Sequence, residues 1–253
     1  GSLMASALRI PLLIHEQNAV AGLTNRWLVQ IADVVMAGFP AAFGERHGVR
    51  VVGNPVRQEI VALPSPVLRL AERAGRLRLL IIGGSQGAQV FNQIVPEAVR
   101  ALPAENRPQV WHQTGKRDET GVATAYRAFL PDAKVAAFIE DMAAAYAWAD
   151  VVVCRAGAMT VAELAAAGVA AILVPFPHAA DDHQTENARF LEVRDAAVLV
   201  PQPEFTATRL TELLTSIGAN RALLQRLAIN ARACATTDAT ETVAQLCLEA
   251  AHA

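Results

Sequence analysis

DVVVCRAGAMTVAELAAAG, residues 150–168, reads as a strand, a loop of small residues and a helix in immediate succession. Its opening run, Val151 to Cys154, is apolar at every position, which is the pattern of a strand buried on both faces of a parallel sheet. The same rhythm extends in both directions. Short apolar runs (IPLLI, VVMAG, VRVVG, LRLLIIGG, QVWHQTG, KVAAF, AAILVPF and AAVLV) alternate with helix-length amphipathic segments. That alternation predicts an α/β class built from βα units around parallel sheets.

Composition permits a sizeable core: 253 residues, 53% hydrophobic and 18% charged. A formal charge of -2 leaves no basic surplus for a phosphate backbone, so no nucleic-acid partner is expected. Asp33, Asp150 and scattered Pro and Gly residues keep every apolar run below the roughly 18 residues that a membrane-spanning helix needs. Cys154, Cys234 and Cys247 are odd in number and lack a CxxC pair, so they are read as packing residues of a reducing compartment.

Prolines and arginines replace the strand pattern over residues 53–76, GNPVRQEIVALPSPVLRLAERAGR, and a domain junction is expected there. Downstream, residues 77–253 hold about six strands with their helices, closed by two or three helices after Thr206. Upstream, residues 1–52 hold two or three strands, too few to bury both faces of a parallel sheet, so they read as the end of a larger domain. The opening GSLMASALR carries no signal-peptide pattern and reads as the tail of a helix, with an earlier start to the chain expected.

Ligands of open α/β sheets bind beyond the carboxyl ends of the strands. After the strand ending in Ile82 comes GGSQGAQVFNQI, where Gly83, Gly84 and Gly87 clear space and Ser85 stands before a helix start. That fits an anion site or a tight structural turn, but not the G-x-G-x-x-G dinucleotide fingerprint. After Cys154, the segment Ala158 to Thr160 offers helix N-terminal N–H groups to an anion, with Glu163 placed for a vicinal diol. The alternative makes Thr160 an N-cap whose capping box Glu163 completes.

HAADDHQTENARF follows the next strand, and His178, Asp181, Asp182 and His183 there allow either a metal site or a capped helix with polar groups facing a neutral ligand. Ile139 is read as starting a short helix, and Pro55 as setting a helix start ahead of Arg57, which stacks on a base, pairs with phosphate or stands in solvent. Nearer the start of the chain, the apolar strand Ile10 to Ile14 runs into His15, Glu16, Gln17 and Asn18, four polar residues at a strand's carboxyl end.

The segments IHEQNAVAGLTNRWL, VVGNPVR, IIGGSQGAQVFNQIVPEA, WHQTGK, FIEDMAAAYAWADVVVCRAGAMTVAELAAAG and VPFPHAADDHQTENARFL resemble, in order and spacing, the MurG family of bacterial glycosyltransferases. The resemblance spans essentially the whole chain. It implies a GT-B fold of two Rossmann-like domains, here the complete donor domain and the end of the acceptor domain, with the last helix returning to the latter. The family's N-terminal GGTGGH-type and GGY segments are not in this sequence. The implied reaction moves N-acetylglucosamine from UDP-N-acetylglucosamine to the lipid-linked muramoyl-pentapeptide, lipid I, for peptidoglycan synthesis, with inversion and without metal or cofactor.

Carried over by position, Arg57 and Ile139 would border the uracil and Ser85 the phosphates. Ala158, Met159, Thr160 and Val161 would lie along the diphosphate and sugar, with Ala162 in the same substrate-binding run. Glu163 would hold the ribose hydroxyls, and Asn18 and Gln184 the N-acetylglucosamine. Position 183 is a glutamine in some members of the family and His183 here. His15 and Glu16 are this chain's candidates for the catalytic base, although the family's usual candidate is a histidine of the absent loop, so donor binding with poor transfer is expected of this chain alone. The lipid substrate implies a place on the inner face of the cytoplasmic membrane, touched here through Leu3, Met4, Leu8 and Arg9. Two alternatives stand beside this reading: a donor-binding subunit of a split glycosyltransferase, and a UDP-N-acetylglucosamine 2-epimerase-like enzyme.

Overall fold

The computed structural model describes residues 1–71, 73–84, 88–177, 179 and 182–252, with the side chains of residues 3, 6 and 7 left out. Of the residues singled out above, Ser85, Gly87, His178, Asp181 and the Leu3 side chain therefore lie outside the described set. Nine strands form two parallel sheets. The first contains β1 (Leu13–Glu16), β2 (Val34–Ala37) and β3 (Val49–Val51) in the order β1-β2-β3. The second contains β4 (Arg78–Ile82), β5 (Gln109–Gln113), β6 (Lys134–Ala136), β7 (Val151–Cys154), β8 (Ala170–Leu173) and β9 (Val198–Leu199).

The second sheet runs β6-β5-β4-β7-β8-β9. The chain starts in the middle, builds outward through β5 and β6, then crosses back to lay β7 on the other side of β4, with Ile82 opposite Cys154. Neighbouring connections therefore leave β4 and β7 toward opposite faces, opening a crevice at their carboxyl ends. Side chains alternate between the two cores as the pleat requires. Leu80, Ile82, Val152 and Cys154 enter one cluster, and Leu79, Ile81, Val151 and Val153 the other.

All nine expected strands form, but the first is displaced. It covers Leu13–Glu16, and Ile10 at its expected start is 53% exposed. Leu12, just before the strand, donates its N–H to Asp33 Oδ2 at 2.8 Å, and the polar His15 and Glu16 are the strand's last two residues. The cysteines divide too: Cys154 is buried, Cys234 half-buried and Cys247 exposed, so Cys247 is not the packing residue expected of it.

The described residues of 53–76 contain no strand. They form the helices Gln58–Val61 and Pro66–Ala71, the first capped by Arg57 and beginning three residues after Pro55. The last three helices of the described residues are Ala207–Ala219, Arg221–Ala233 and Ala239–His252, and Leu246 of the last packs with Met36 of β2 and Val52, which follows β3. Asp150, just before β7, ties the second sheet to this frame: its carboxylate accepts from Arg73 at 2.8 Å, Arg221 at 3.2 Å and the Arg78 N–H at 3.0 Å.

Candidate functional site

The helix Ala158–Ala167 leaves β7 at the crevice. Gly157 is its N-cap, at φ -64° and ψ 145°, and has no side chain to accept from the first turn. Val161 N–H donates to Gly157 O, so the N–H groups of Ala158, Met159 and Thr160 precede the first intrahelical bond and face the crevice. This overturns the capping-box alternative, because Thr160 lies inside the helix and Glu163 is engaged elsewhere. The Val161 side chain is fully buried and its N–H is bonded within the helix. Ala162 turns to the other side, lining a small cavity with Phe39, Gly53 and Asn54.

The other end of this helix is firmly closed. Gly168 adopts φ 59°, and a Cβ there would meet Pro66 Cγ at 2.5 Å. Arg69 donates to the carbonyls of Ala167 and Gly168, and Arg232 to that of Ala166. Cationic groups on the carboxyl-terminal carbonyls match the helix dipole, while the opposite end presents partial positive charge with no side-chain cap.

One turn into the helix, Glu163 receives two donors. Arg57 Nη2 reaches Oε1 at 3.1 Å and the Tyr146 hydroxyl reaches Oε2 at 3.0 Å. Tyr146 is buried; burial and then the Glu163 carboxylate push its pKa well above the ordinary value, so it remains a donor. The Arg57 side chain is 52% exposed and its ion pair is worth little in stability, but it brings the guanidinium to the crevice instead of leaving it in solvent. A cavity of about 400 Å³ opens beside it, lined by Glu59, Ile60, Glu140, Asp141 and Met142. Ile139 is next to these residues and buried. It does not start a helix: that helix is Met142–Trp148, capped by Asp141, whose Oδ1 accepts from Ala144 N–H at 2.8 Å.

The first sheet contributes its β1 end. Glu16 is buried and accepts from the N–H groups of Asn18 (2.9 Å) and Gly22 (3.0 Å) and from the amides of Asn25 (2.9 Å) and Asn18 (3.3 Å). Burial alone would push its pKa up, but these four hydrogen bonds outweigh it and hold the carboxyl below the ordinary value. Through these bonds Glu16 organises the loop that carries Asn18. His15 Nε2 lies 2.9 Å from Gly53 O, and since a carbonyl only accepts, Nε2 carries a proton and is the nitrogen engaged by the fold.

Across the crevice, Gln184 Oε1 accepts from Phe176 N–H at 2.9 Å, which leaves its NH2 group to donate. Of the two aspartates expected to cap the helix His183–Glu192, Asp181 lies outside the described residues and Asp182 holds the N-cap position at φ 52° with no side-chain bond to the first-turn N–H groups; its carboxylate accepts from the Thr185 hydroxyl at 2.7 Å. Among the described residues, no group of three His, Cys, Asp or Glu side chains is placed to hold a metal ion. Three residues that the sequence did not mark are prominent in the geometry. Tyr146 orients Glu163. Arg155 bonds the Val174 and Pro175 carbonyls and stacks on Phe176, fixing the loop that holds Gln184. Asn187, fully buried, joins Ala19, Asn18 and Ala156.

Residues 78–245 match the glycosyltransferase family 28 C-terminal domain. The chain belongs to glycosyltransferase family 28. Its relatives include proteins named UDP-N-acetylglucosamine--N-acetylmuramyl-(pentapeptide) pyrophosphoryl-undecaprenol N-acetylglucosamine transferase. The one from Marinobacter nauticus is 50% identical over 252 residues, covering 100% of this chain and 69% of its own length. The one from Ralstonia nicotianae is 52% identical over 256 residues, with the same coverages. Among solved structures, MurG of Acinetobacter baumannii superposes with a TM-score of 0.87 at 41% identity, over 97% of this chain and 69% of that one. The UDP-GlcNAc 2-epimerase of Neisseria meningitidis, at 12% identity and a TM-score of 0.61, covers 98% of this chain and 72% of its own and shares the fold alone. This family 28 chain is accordingly a glycosyltransferase with the GT-B architecture.

Proposed function

We propose that this chain acts in the transfer of N-acetylglucosamine from UDP-N-acetylglucosamine to undecaprenyl-pyrophosphoryl-N-acetylmuramoyl-pentapeptide, converting lipid I to lipid II in peptidoglycan synthesis. The observation that carries the reading is a single helix, Ala158–Ala167, with an uncapped N-terminus for a diphosphate and a prepositioned Glu163 for a ribose diol. The relatives named for this reaction, at about 50% identity along the whole chain, support it. Residues 77–253 are the donor domain in this reading, with the last helix returning to the acceptor domain, residues 1–52 are acceptor-domain structure, and 53–76 are the junction.

The acceptor hydroxyl attacks the sugar carbon in line with the departing UDP. A C–O bond forms as the bond to the phosphate oxygen breaks, and the carbon inverts. The hydroxyl proton passes to a base, for which His15 Nδ1 is the group this chain offers. Charge developing on UDP is met by the N–H groups of Ala158, Met159 and Thr160, so no divalent metal is required. Gln184 donates to a sugar hydroxyl, and Asn18 contacts the sugar from the opposite wall. The lipid acceptor brings the chain to the inner membrane face, in keeping with the exposed Met4, Leu8, Leu23 and Trp27. No helix among the described residues is long and apolar enough to cross a membrane.

Calorimetric titration with UDP-N-acetylglucosamine, with and without EDTA and beside UDP-N-acetylgalactosamine, tests donor recognition. Saturable binding, unchanged by EDTA and stronger for the gluco sugar, is expected. UDP release from the nucleotide sugar without any lipid acceptor, accompanied by epimerised sugar, would instead mark an epimerase.

A further inference from the structure

Asn187 is fully buried, in the middle of the helix His183–Glu192, at the contact between the two sheets' structural units. Its Oδ1 accepts from Ala19 N–H at 2.7 Å. Its Nδ2 donates to Asn18 Oδ1 at 3.2 Å and to Ala156 O at 3.1 Å. The two backbone anchors remove the usual ambiguity of an amide's orientation. A main-chain N–H can only donate and a main-chain carbonyl can only accept, so the oxygen of Asn187 must face Ala19 and its nitrogen must face Ala156.

The consequence passes to Asn18. Because Asn187 presents N–H, Asn18 must turn its oxygen toward it, and its own nitrogen then meets Glu16 Oε1 at 3.3 Å. Asn18 is thus locked from both sides in one of its two flip states. One N–H and one oxygen lone pair of Asn18 are left by these two bonds, both in fixed places.

We infer that Asn187 is a positioning residue for donor-sugar selection: it sets the hydrogen-bond polarity of Asn18 and joins that residue to the loop after β7, so that the wall from the first sheet and the helix at Ala158 hold one sugar between them. The inference rests on the proposed sugar-nucleotide function. A fixed donor–acceptor pair recognises a sugar hydroxyl only in the orientation that matches it, whereas a freely flipping amide recognises both poorly.

The test compares binding of UDP-N-acetylglucosamine with that of UDP, which lacks the sugar, for the wild-type chain, Asn187→Asp, Asn18→Ala and the double variant. Asn187→Asp keeps the shape and the acceptor for Ala19 but removes both donors. It is expected to weaken UDP-N-acetylglucosamine about tenfold while moving UDP less than threefold, and to add no further sugar-specific loss in the Asn18→Ala background. Equal losses for the two ligands, or additive losses in the double variant, would overturn the inference. Were Asn187→Asp unfolded, the wild-type side-chain amide resonances would decide. In the ligand-free chain the two Asn187 amide protons, both hydrogen-bonded in a fully buried site, are expected to exchange with solvent far more slowly than those of an exposed asparagine, and exchange at the exposed rate would refute the lock. A wild-type chain that binds UDP and UDP-N-acetylglucosamine equally would instead refute the functional reading, and this inference with it.

Discussion

Replacing Gly157 with aspartate separates the two uses of one helix end. Gly157 has a φ of -64° and a ψ of 145°, open to any residue, and a Cβ there would have Thr160 Oγ1 as its nearest neighbour, at 3.7 Å. Aspartate fits this N-cap without steric cost and can accept from the Met159 or Thr160 N–H. Three effects then stabilise the fold: loss of glycine's unfolded-state freedom, about 0.4–1 kcal/mol; a better cap, a few tenths; and a charge favourable to the dipole, about 0.3–1 kcal/mol. Their sum is about 1–2 kcal/mol, which for a chain of this size raises Tm by roughly 2–8 °C.

The same carboxylate would occupy the place proposed for the diphosphate and consume its donors. Losing one or two hydrogen bonds to a charged group costs about 2–4 kcal/mol, or roughly 30- to 900-fold in UDP affinity. Calorimetric titration and thermal unfolding of Gly157→Asp should therefore move in opposite directions, while Gly157→Ala, whose entropic gain is offset by alanine's poor fit at an N-cap, should leave Tm near that of the wild type and keep UDP binding. An aspartate variant that is more stable yet binds UDP like the wild type would refute the claim that this helix end receives the phosphates.

Glu163→Gln should weaken UDP by about 1–3 kcal/mol, the gap between charged and neutral acceptors, and weaken 2′,3′-dideoxy-UDP far less; equal losses would remove the ribose from Glu163. Asp150→Asn leaves Arg73 with its side chain 12% exposed and no counter-charge, so urea unfolding should show about 3–5 kcal/mol lost with nucleotide affinity unchanged. His112, fully buried on β5, has its pKa pushed down by burial from 6.5 to about 3. The unfolded chain binds that proton first, so the contribution is complete above about pH 6.5 and is lost toward pH 3 at about 1.4 kcal/mol per unit. His112→Leu should flatten the slope between pH 6.5 and 5, although Tyr126 loses the partner that sits 3.1 Å from His112 Nδ1.

What was legible in the sequence follows the range of the interaction that decides it. The strands of the second sheet were legible because burial on both faces makes every position apolar, and Val151 to Cys154 show no alternation to misread. β1 was misplaced because its last two residues are polar for reasons that lie elsewhere: Glu16 is buried only because Asn18, Gly22 and Asn25 fold back over it. The capping box T-V-A-E fits a local rule, yet Glu163 is drawn to Arg57 and Tyr146, neither within one helical turn, and the cap falls on a glycine with no side chain at all. Asn187 left no local signal, since its partners Asn18 and Ala19 are 169 and 168 residues away. Backbone carbonyls and N–H groups occur at every position, so a sequence cannot say which of them an amide will anchor on. Only the packing of the two units against each other makes that choice, and it makes it where buried amides have the most to lose by being unpaired.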